Sequence, residues 1–244
     1  MGAGDWIMAT AIAKKLHQIN KRPVLIVNRS GQPQWHPVFD GNPRLARMPG
    51  RNVQRLLNCS GSRHYIAAKG PERWAWKRWD ISPGEIYLTA DEKAFGAAHG
   101  GRILVEPHTK VVGSNKAWIW DRWQALVDCG GEFVQVGPAG TQLLRGVNFV
   151  ETPSFRHACA VLAASRAFVG TEGGLHHAAA ALGVPAVVLF SEFIGTDITG
   201  YPQHRNLRHA GEACGARTPC EGCRASMEAI TVEEVRRNLM EIIG

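Results

Sequence analysis

The sequence predicts an α/β protein built on parallel sheets covered by helices, and three observations carry the prediction. Short apolar runs alternate with helical stretches along the chain. Residues 167–190, AFVGTEGGLHHAAAALGVPAVVLF, read as strand, glycine turn, alanine-rich helix, Gly183-Val184-Pro185 break and second apolar strand, which is a parallel crossover unit. The turn inside that unit, Gly170-Thr171-Glu172-Gly173-Gly174, leaves backbone N–H groups free at the start of a helix.

In chain order, the expected helices cover residues 6–20, 118–129, 155–165, 175–182 and 232–243. The expected strands cover 24–27, 86–88, 103–106, 133–136, 148–150, 167–169 and 186–190. The first helix opens behind Asp5, a favoured N-cap residue. The strand at 103–106 runs into Glu106-Pro107-His108-Thr109. The helix after it carries Trp118, Trp120 and Trp123 at helical spacing, a pattern of packing rather than of ligand contact. A Gly/Ala/His stretch at 95–101 is the best linker, dividing the chain into residues 1–98 and 99–244.

With 244 residues the chain holds one large domain or two small ones. At 45% hydrophobic and 20% charged residues it is ordinarily globular. No apolar run approaches the ~20 residues of a membrane span. The first residues lack the layout of a secretion signal, so the cytoplasm is the default compartment. The formal charge of +7 points to an acidic partner and leaves nucleotide sugar, anionic lipid surface and nucleic acid all open.

The glycine turn favours an anion such as a diphosphate, because the helix start offers N–H donors and the positive end of the helix dipole. Gly173 and Gly174 carry no Cβ to hold that anion away. Glu172 would repel phosphate, so accepting hydrogen bonds from sugar hydroxyls suits it better. His176 and His177 stand in the first helical turn, where an imidazole can donate to a phosphate oxygen. The same pattern also suits a structural crossover with a solvated Glu172.

These residues resemble the donor-binding motif of glycosyltransferase family 9, the heptosyltransferase family. At the positions of its Asp-Ser/Thr-Gly-x-x-His pattern stand Glu172 for Asp, Gly173 for Ser/Thr, Gly174 and His177, and its Ala-Ala-x-x-Gly-x-Pro follows as Ala179-Ala180 and Gly183-Val184-Pro185. Three more pieces follow the family's order. Gly4-Asp5-Trp6-Ile7-Met8-Ala9-Thr10 resembles its Gly-Asp loop and helix, Asn115-Lys116-Ala117-Trp118 with Trp123 its Lys-x-Trp…Trp element, and Cys220-x-x-Cys223…Met227-Glu228-Ala229-Ile230 its C-terminal Cys-Met element. The resemblance implies a GT-B-like arrangement of two Rossmann-like parallel-sheet domains, an acceptor-side unit at 1–98 and a nucleotide-sugar-binding unit at 99–244. In the family an apolar strand precedes the Gly-Asp loop, whereas here Met1 stands three residues before Gly4. Either the true start lies upstream of Met1, or the N-terminal domain is a reduced variant.

By family analogy the reaction is inverting, metal-independent transfer of heptose from ADP-heptose to a saccharide acceptor such as the lipopolysaccharide core, at the inner face of the membrane. The resemblance assigns the catalytic base to Asp5, which must reach the acceptor hydroxyl. Lys116, beyond the carboxyl end of a strand, would neutralise charge on the departing diphosphate. Donor contacts are expected from Thr109, Lys116, Glu172, Gly173, Gly174 and His177. Transfer to another acceptor, modified DNA included, and a catalytically silent nucleotide-sugar-binding module are the alternative readings. No cofactor is expected.

Two features stand apart from the motif set. Of six cysteines, Cys214, Cys220 and Cys223 form a Cys-x5-Cys-x2-Cys cluster with metal-ligand spacing in one half. A fourth ligand would come from His209, His204 or a distant residue, and the second pair of a zinc ribbon is missing. Reduced thiols with little or no bound metal are the expectation, and a labile disulfide is the third reading. Arg73-Trp74-Ala75-Trp76-Lys77-Arg78-Trp79 interleaves cations with tryptophans, which suits a membrane interface, sugar stacking or nucleic acid; an ordinary segment with half its tryptophans buried fits it equally.

Overall fold

The computed structural model describes residues 1–110 and 114–244. In chain order the elements are α1 (Ala3–Asn20), β1 (Val24–Val27), a 3₁₀ turn (Pro37–Phe39), β2 (Gln54–Leu57), β3 (Ile66–Lys69), β4 (Trp74–Trp76), α2 (Ala90–Ala97), β5 (Ile103–Glu106), α3 (Trp120–Asp128), β6 (Phe133–Gly137), β7 (Asn148–Glu151), α4 (Phe155–Ala163), β8 (Ala167–Thr171), α5 (Gly174–Leu182), β9 (Ala186–Phe190), α6 (Thr196–Thr199), β10 (Arg205–Arg208), α7 (Glu221–Ala229) and α8 (Val232–Ile243).

Six strands form one sheet in the order β7-β6-β5-β8-β9-β10, every pair parallel. Numbered within the sheet this is 3-2-1-4-5-6, the doubly wound order whose direction of growth reverses between strands 1 and 4. Here that switch point lies between β5 and β8. Strand periodicity divides the core cleanly. Leu104, Val134, Phe168, Val188 and Phe190 point to one face, where α4, α5 and α1 supply Cys159, Leu162, Ala178, Ala179, Ile7 and Met8. Ile103, Val105, Phe133, Val169, Val187 and Leu189 point to the other, under Trp123, Leu126, Met227, Val235 and Leu239 from α3, α7 and α8. Trp118 and Trp123 are buried edge to face, with centroids 4.7 Å apart, and so pack as expected.

The N-terminal part is smaller. Among the described residues its sheets are the parallel pair β1–β2 and the antiparallel hairpin β3–β4. Its apolar side chains, including Ile7, Met8, Val24, Ile26, Phe39 and Leu56, belong to the same buried cluster as Leu104, Phe168, Ala178 and Phe190. Helix α1 therefore lies directly on α5, which is enclosed between α1 and the large sheet.

Three local expectations are corrected. Residues 86–88 join no sheet, because their surroundings are satisfied by side chains: Glu85 N–H donates to Thr10 Oγ1 at 2.7 Å and Arg156 Nη2 donates to the Tyr87 carbonyl at 2.6 Å. Residues 95–97 do not belong to a linker but close α2, which a capping box between Thr89 and Glu92 initiates and an Arg156–Glu92 ion pair at 2.6 Å fastens to α4. Asp5 is not the N-cap of α1. The helix starts two residues earlier, Gly2 is the N-cap, and Asp5 at the third helical position accepts the Gly2 N–H at 2.8 Å.

The basic-aromatic segment is tied into the protein. Trp76 Nε1 donates to the Phe193 carbonyl and Trp79 Nε1 to the Ile198 carbonyl, both at 2.8 Å, while Arg78 pairs with Asp197 at 2.7 Å. Both indole N–H groups thus fasten this segment to the loop after β9, and Trp76 packs edge to face on Phe193. Among the described residues no helix is long and apolar enough to cross a membrane.

Candidate functional site

The carboxyl ends of β5 and β8 flank the switch point, so the segments that follow them line the crevice where doubly wound sheets bind ligands. After β5 come Glu106, His108, Thr109 and, further along, Lys116; after β8 come Glu172, Gly173 and the start of α5. Glu172 is 7% exposed, and its carboxylate takes an ion pair from Lys116 on Oε2 and His177 Nε2 at 3.2 Å on Oε1. Burial works to raise the Glu172 pKa, but Lys116 and the His177 hydrogen bond outweigh it and hold the carboxyl well below its usual range. Lys116 Nζ also lies 5.1 Å from the centre of the Phe193 ring. His177 Nδ1 is 2.8 Å from Tyr201 Oη, so both imidazole nitrogens are engaged by protein groups.

His176 does not share the crevice. It is 0% exposed, packed among Phe190, Tyr201 and His204, with neither ring nitrogen hydrogen-bonded. Burial holds it neutral, well below the usual histidine pKa. The two glycines also divide their roles. A Cβ on Gly173 would meet only the Thr171 carbonyl at 3.8 Å, so this position can admit an anion closely. A Cβ on Gly174 would instead press on Phe155 at 3.2 Å and approach Ala3 at 3.6 Å, so Gly174 serves packing of α5 against α4 and α1.

Asp5 sits at the other wall. It is 8% exposed; Oδ1 accepts Tyr65 Oη at 2.5 Å and pairs with Arg63 Nη1 at 3.3 Å, and Oδ2 accepts the Gly2 N–H. Burial and the neighbouring Asp5 charge push the Tyr65 phenol well above its usual pKa, so Tyr65 is the donor. The wall is joined to the crevice at Gly4: a Cβ there would fall well inside van der Waals contact of His177 Cδ2. Because His177 is held by Glu172 and Tyr201, it cannot swing away. Gly4→Ala should therefore displace α1 and destabilise the protein by about 1–3 kcal/mol, the usual cost of overpacking. Urea unfolding measures this, and an unchanged midpoint would show that the ring yields.

Sequence reasoning missed three residues here. Arg63 and Tyr65 lie some sixty positions from Asp5 and signal nothing by spacing. Glu106 had a visible cue, a charged residue ending the apolar strand ILVE. Burial pushes its carboxyl up to about 8 against the opposing pull of the His108 N–H, 3.0 Å from Oε1. At neutral pH it is thus a neutral acid that can donate as well as accept. Thr109 is half-buried in the loop after β5.

No family model and no curated protein matches the sequence. Solved structures do match, and they show the fold, which is shared with GT-B-type glycosyltransferases. Glycosyl transferase family 9 from Veillonella parvula superposes with a TM-score of 0.68 at 12% identity, over 100% of this chain and 95% of that one. The iron-containing dodecameric glycosyltransferase TibC from enterotoxigenic E. coli gives 0.61 at 13% identity, over 99% and 74%. E. coli ADP-heptose lps heptosyltransferase II gives 0.51 at 19% identity over 68% of this chain, and the match spans 55% of that enzyme. The family resembled in motif is the one resembled in fold.

Proposed function

We propose that this chain is an inverting, metal-independent glycosyltransferase that moves a sugar, heptose by family analogy, from a nucleoside diphosphate donor to a saccharide acceptor such as the lipopolysaccharide core. The observation that supports the reading is the close approach of Gly4, the neighbour of Asp5 in the chain, to His177, which is hydrogen-bonded to the Glu172 that pairs with Lys116. Residues 1–98 supply the acceptor side and 99–244 the donor side, with ADP-heptose as donor and the acceptor presented at the inner membrane face.

A carboxylate offers about four lone-pair sites. Gly2, Arg63 and Tyr65 take three on Asp5, which orients it and leaves one for the acceptor hydroxyl. As that oxygen attacks the anomeric carbon, Asp5 takes its proton and the bond to the diphosphate breaks. The leaving charge is met by Lys116 and by the N–H groups at the start of α5. Lys116 exchanges Glu172 for the diphosphate, and the freed carboxylate accepts from the donor's sugar hydroxyls. Glu172, His176 and His177 present ligand atoms within 4.8 Å of one another. Yet Lys116 already supplies the positive charge at Glu172, and a divalent ion there would meet its repulsion.

Calorimetric titration with ADP and ADP-heptose tests the reading. Both should bind at micromolar or tighter levels, and Gly173→Val, at a position where a Cβ would meet no described residue nearer than the Thr171 carbonyl at 3.8 Å, should weaken binding by at least about tenfold, or 1.4 kcal/mol. Unchanged affinity in that variant would place the nucleotide elsewhere. Binding without transfer to any saccharide would leave a nucleotide-sugar-binding module.

A further inference from the structure

The loop after β10 folds Cys214 back onto the first turn of α7. Cys214 Sγ lies 3.4 Å from Cys223 Sγ and 3.9 Å from Cys220 Sγ, and all three sulfurs fall within 4.8 Å of one another. Sulfurs bound at about 2.3 Å in a tetrahedral thiolate site stand about 3.8 Å apart, so these thiols are already at ligand spacing. No disulfide links them.

The surroundings fix this arrangement. Cys214 N–H donates to the Glu192 carbonyl at 2.9 Å, Glu192 N–H donates to Ser226 Oγ at 2.9 Å, and Cys220 N–H donates to Asn115 Oδ1 at 3.0 Å. Cys220 is also the N-cap of α7, where the helix dipole favours a thiolate. Neither histidine named from the sequence is the fourth ligand: His209 pairs with Glu234 at 2.7 Å and His204 is packed against His176 and Tyr201. A Cβ on Gly222, between Cys220 and Cys223, would collide with the Glu192 carboxylate, so that carboxylate borders the first turn of α7 beside the cluster.

We propose that Cys214, Cys220 and Cys223 form a structural site for a thiophilic divalent cation such as zinc, with the neighbouring Glu192 carboxylate turning in as the fourth ligand when the cation binds. Sequence alone favours reduced thiols without metal, but the fold brings all three sulfurs to ligand spacing and sets Glu192 beside them. Binding releases the thiol protons and adds its free energy to folding of the loop. That loop carries Gly215, whose carbonyl accepts the Trp74 N–H at 2.8 Å, and Ala216 and Thr218, whose carbonyls accept Asn115 Nδ2 at 2.9 and 2.8 Å. The cation would thus brace the hairpin β3–β4 and the residue preceding Lys116 against α7. This proposal is independent of the transferase reading.

The test uses the full chain purified without chelator. Elemental analysis should find about one zinc or iron per chain, the metal found deciding the native occupant. Replacement by Co²⁺ should give the intense near-ultraviolet thiolate-to-cobalt band. Cys220→Ser and Cys223→Ser should lose metal and band, Glu192→Gln should weaken cobalt affinity by about tenfold or more, in the range of altered ligand shells, and Cys59→Ser and Cys129→Ser should change neither. Under about 0.1 metal per chain together with no cobalt band at micromolar Co²⁺ would overturn the site. So would a Cys214–Cys223 disulfide found by mass mapping of the protein purified with thiols blocked. Because all readouts are spectroscopic or compositional, a variant that folds poorly is recognised by its far-ultraviolet circular dichroism, and the cobalt titration of the unaltered protein still decides.

Discussion

Asp5→Asn is expected to lower transfer by roughly 10²–10⁴-fold with donor affinity within about twofold of the unaltered protein, the range for loss of a general base. The change keeps the shape of the side chain and its carbonyl can still accept the Gly2 N–H or the Tyr65 hydroxyl, but it removes the only function of Asp5 that needs a negative charge besides pairing with Arg63. Because Arg63 is buried, the variant also loses some stability, so turnover is measured below the unfolding transition established by circular dichroism. Tyr65→Phe serves as the comparison: it removes one hydrogen bond to Asp5 while leaving the carboxylate. A near-normal rate in Asp5→Asn would reduce Asp5 to a partner in the capping box and an ion pair.

Lys116→Ala is expected to cost about 3 kcal/mol of transition-state stabilisation, roughly 10²-fold in kcat, on the scale of one lost oxyanion donor. Its structural setting adds a second effect. Removing the ammonium leaves the buried Glu172 carboxylate, among the described residues, with only the His177 hydrogen bond, and an unneutralised carboxylate repels diphosphate. The double variant Lys116→Ala/Glu172→Gln should therefore recover donor binding without recovering rate, which separates the two effects. Transfer should need neither magnesium nor manganese. Activity that vanishes with EDTA and returns with magnesium or manganese, but not with zinc, would overturn the assignment of Lys116.

Much of the donor half was legible because its signals are local. The crossover at β8–α5–β9 follows from an apolar run, a glycine turn and an alanine helix, all within 24 residues of sequence. The same locality explains the errors. Which of the two glycines has room for a side chain is decided by Phe155 and Ala3, which crowd a Cβ on Gly174, a constraint that no spacing in the sequence shows. His176 and His177 are neighbours in sequence and the centroids of their buried rings lie 4.8 Å apart, yet His177 hydrogen-bonds to Glu172 while neither His176 ring nitrogen has a hydrogen-bond partner among the described residues. The hairpin β3–β4 and the Arg63–Tyr65 clasp on Asp5 depend on contacts across dozens to more than a hundred positions, which no window of composition reveals.

The apolar cluster that runs unbroken from Ile7 and Val24 to Phe168 and Phe190 has a thermodynamic corollary. Two lobes with separate cores can melt in succession, each protecting its own amides from exchange. Here α5 is the inner layer of both, so loosening α1 strips the covering from the helix that begins at the crevice. The segment bearing Asp5 and the segment bearing His177 then share one opening free energy, and any ligand that stabilises the crevice slows hydrogen exchange along α1 by the same factor.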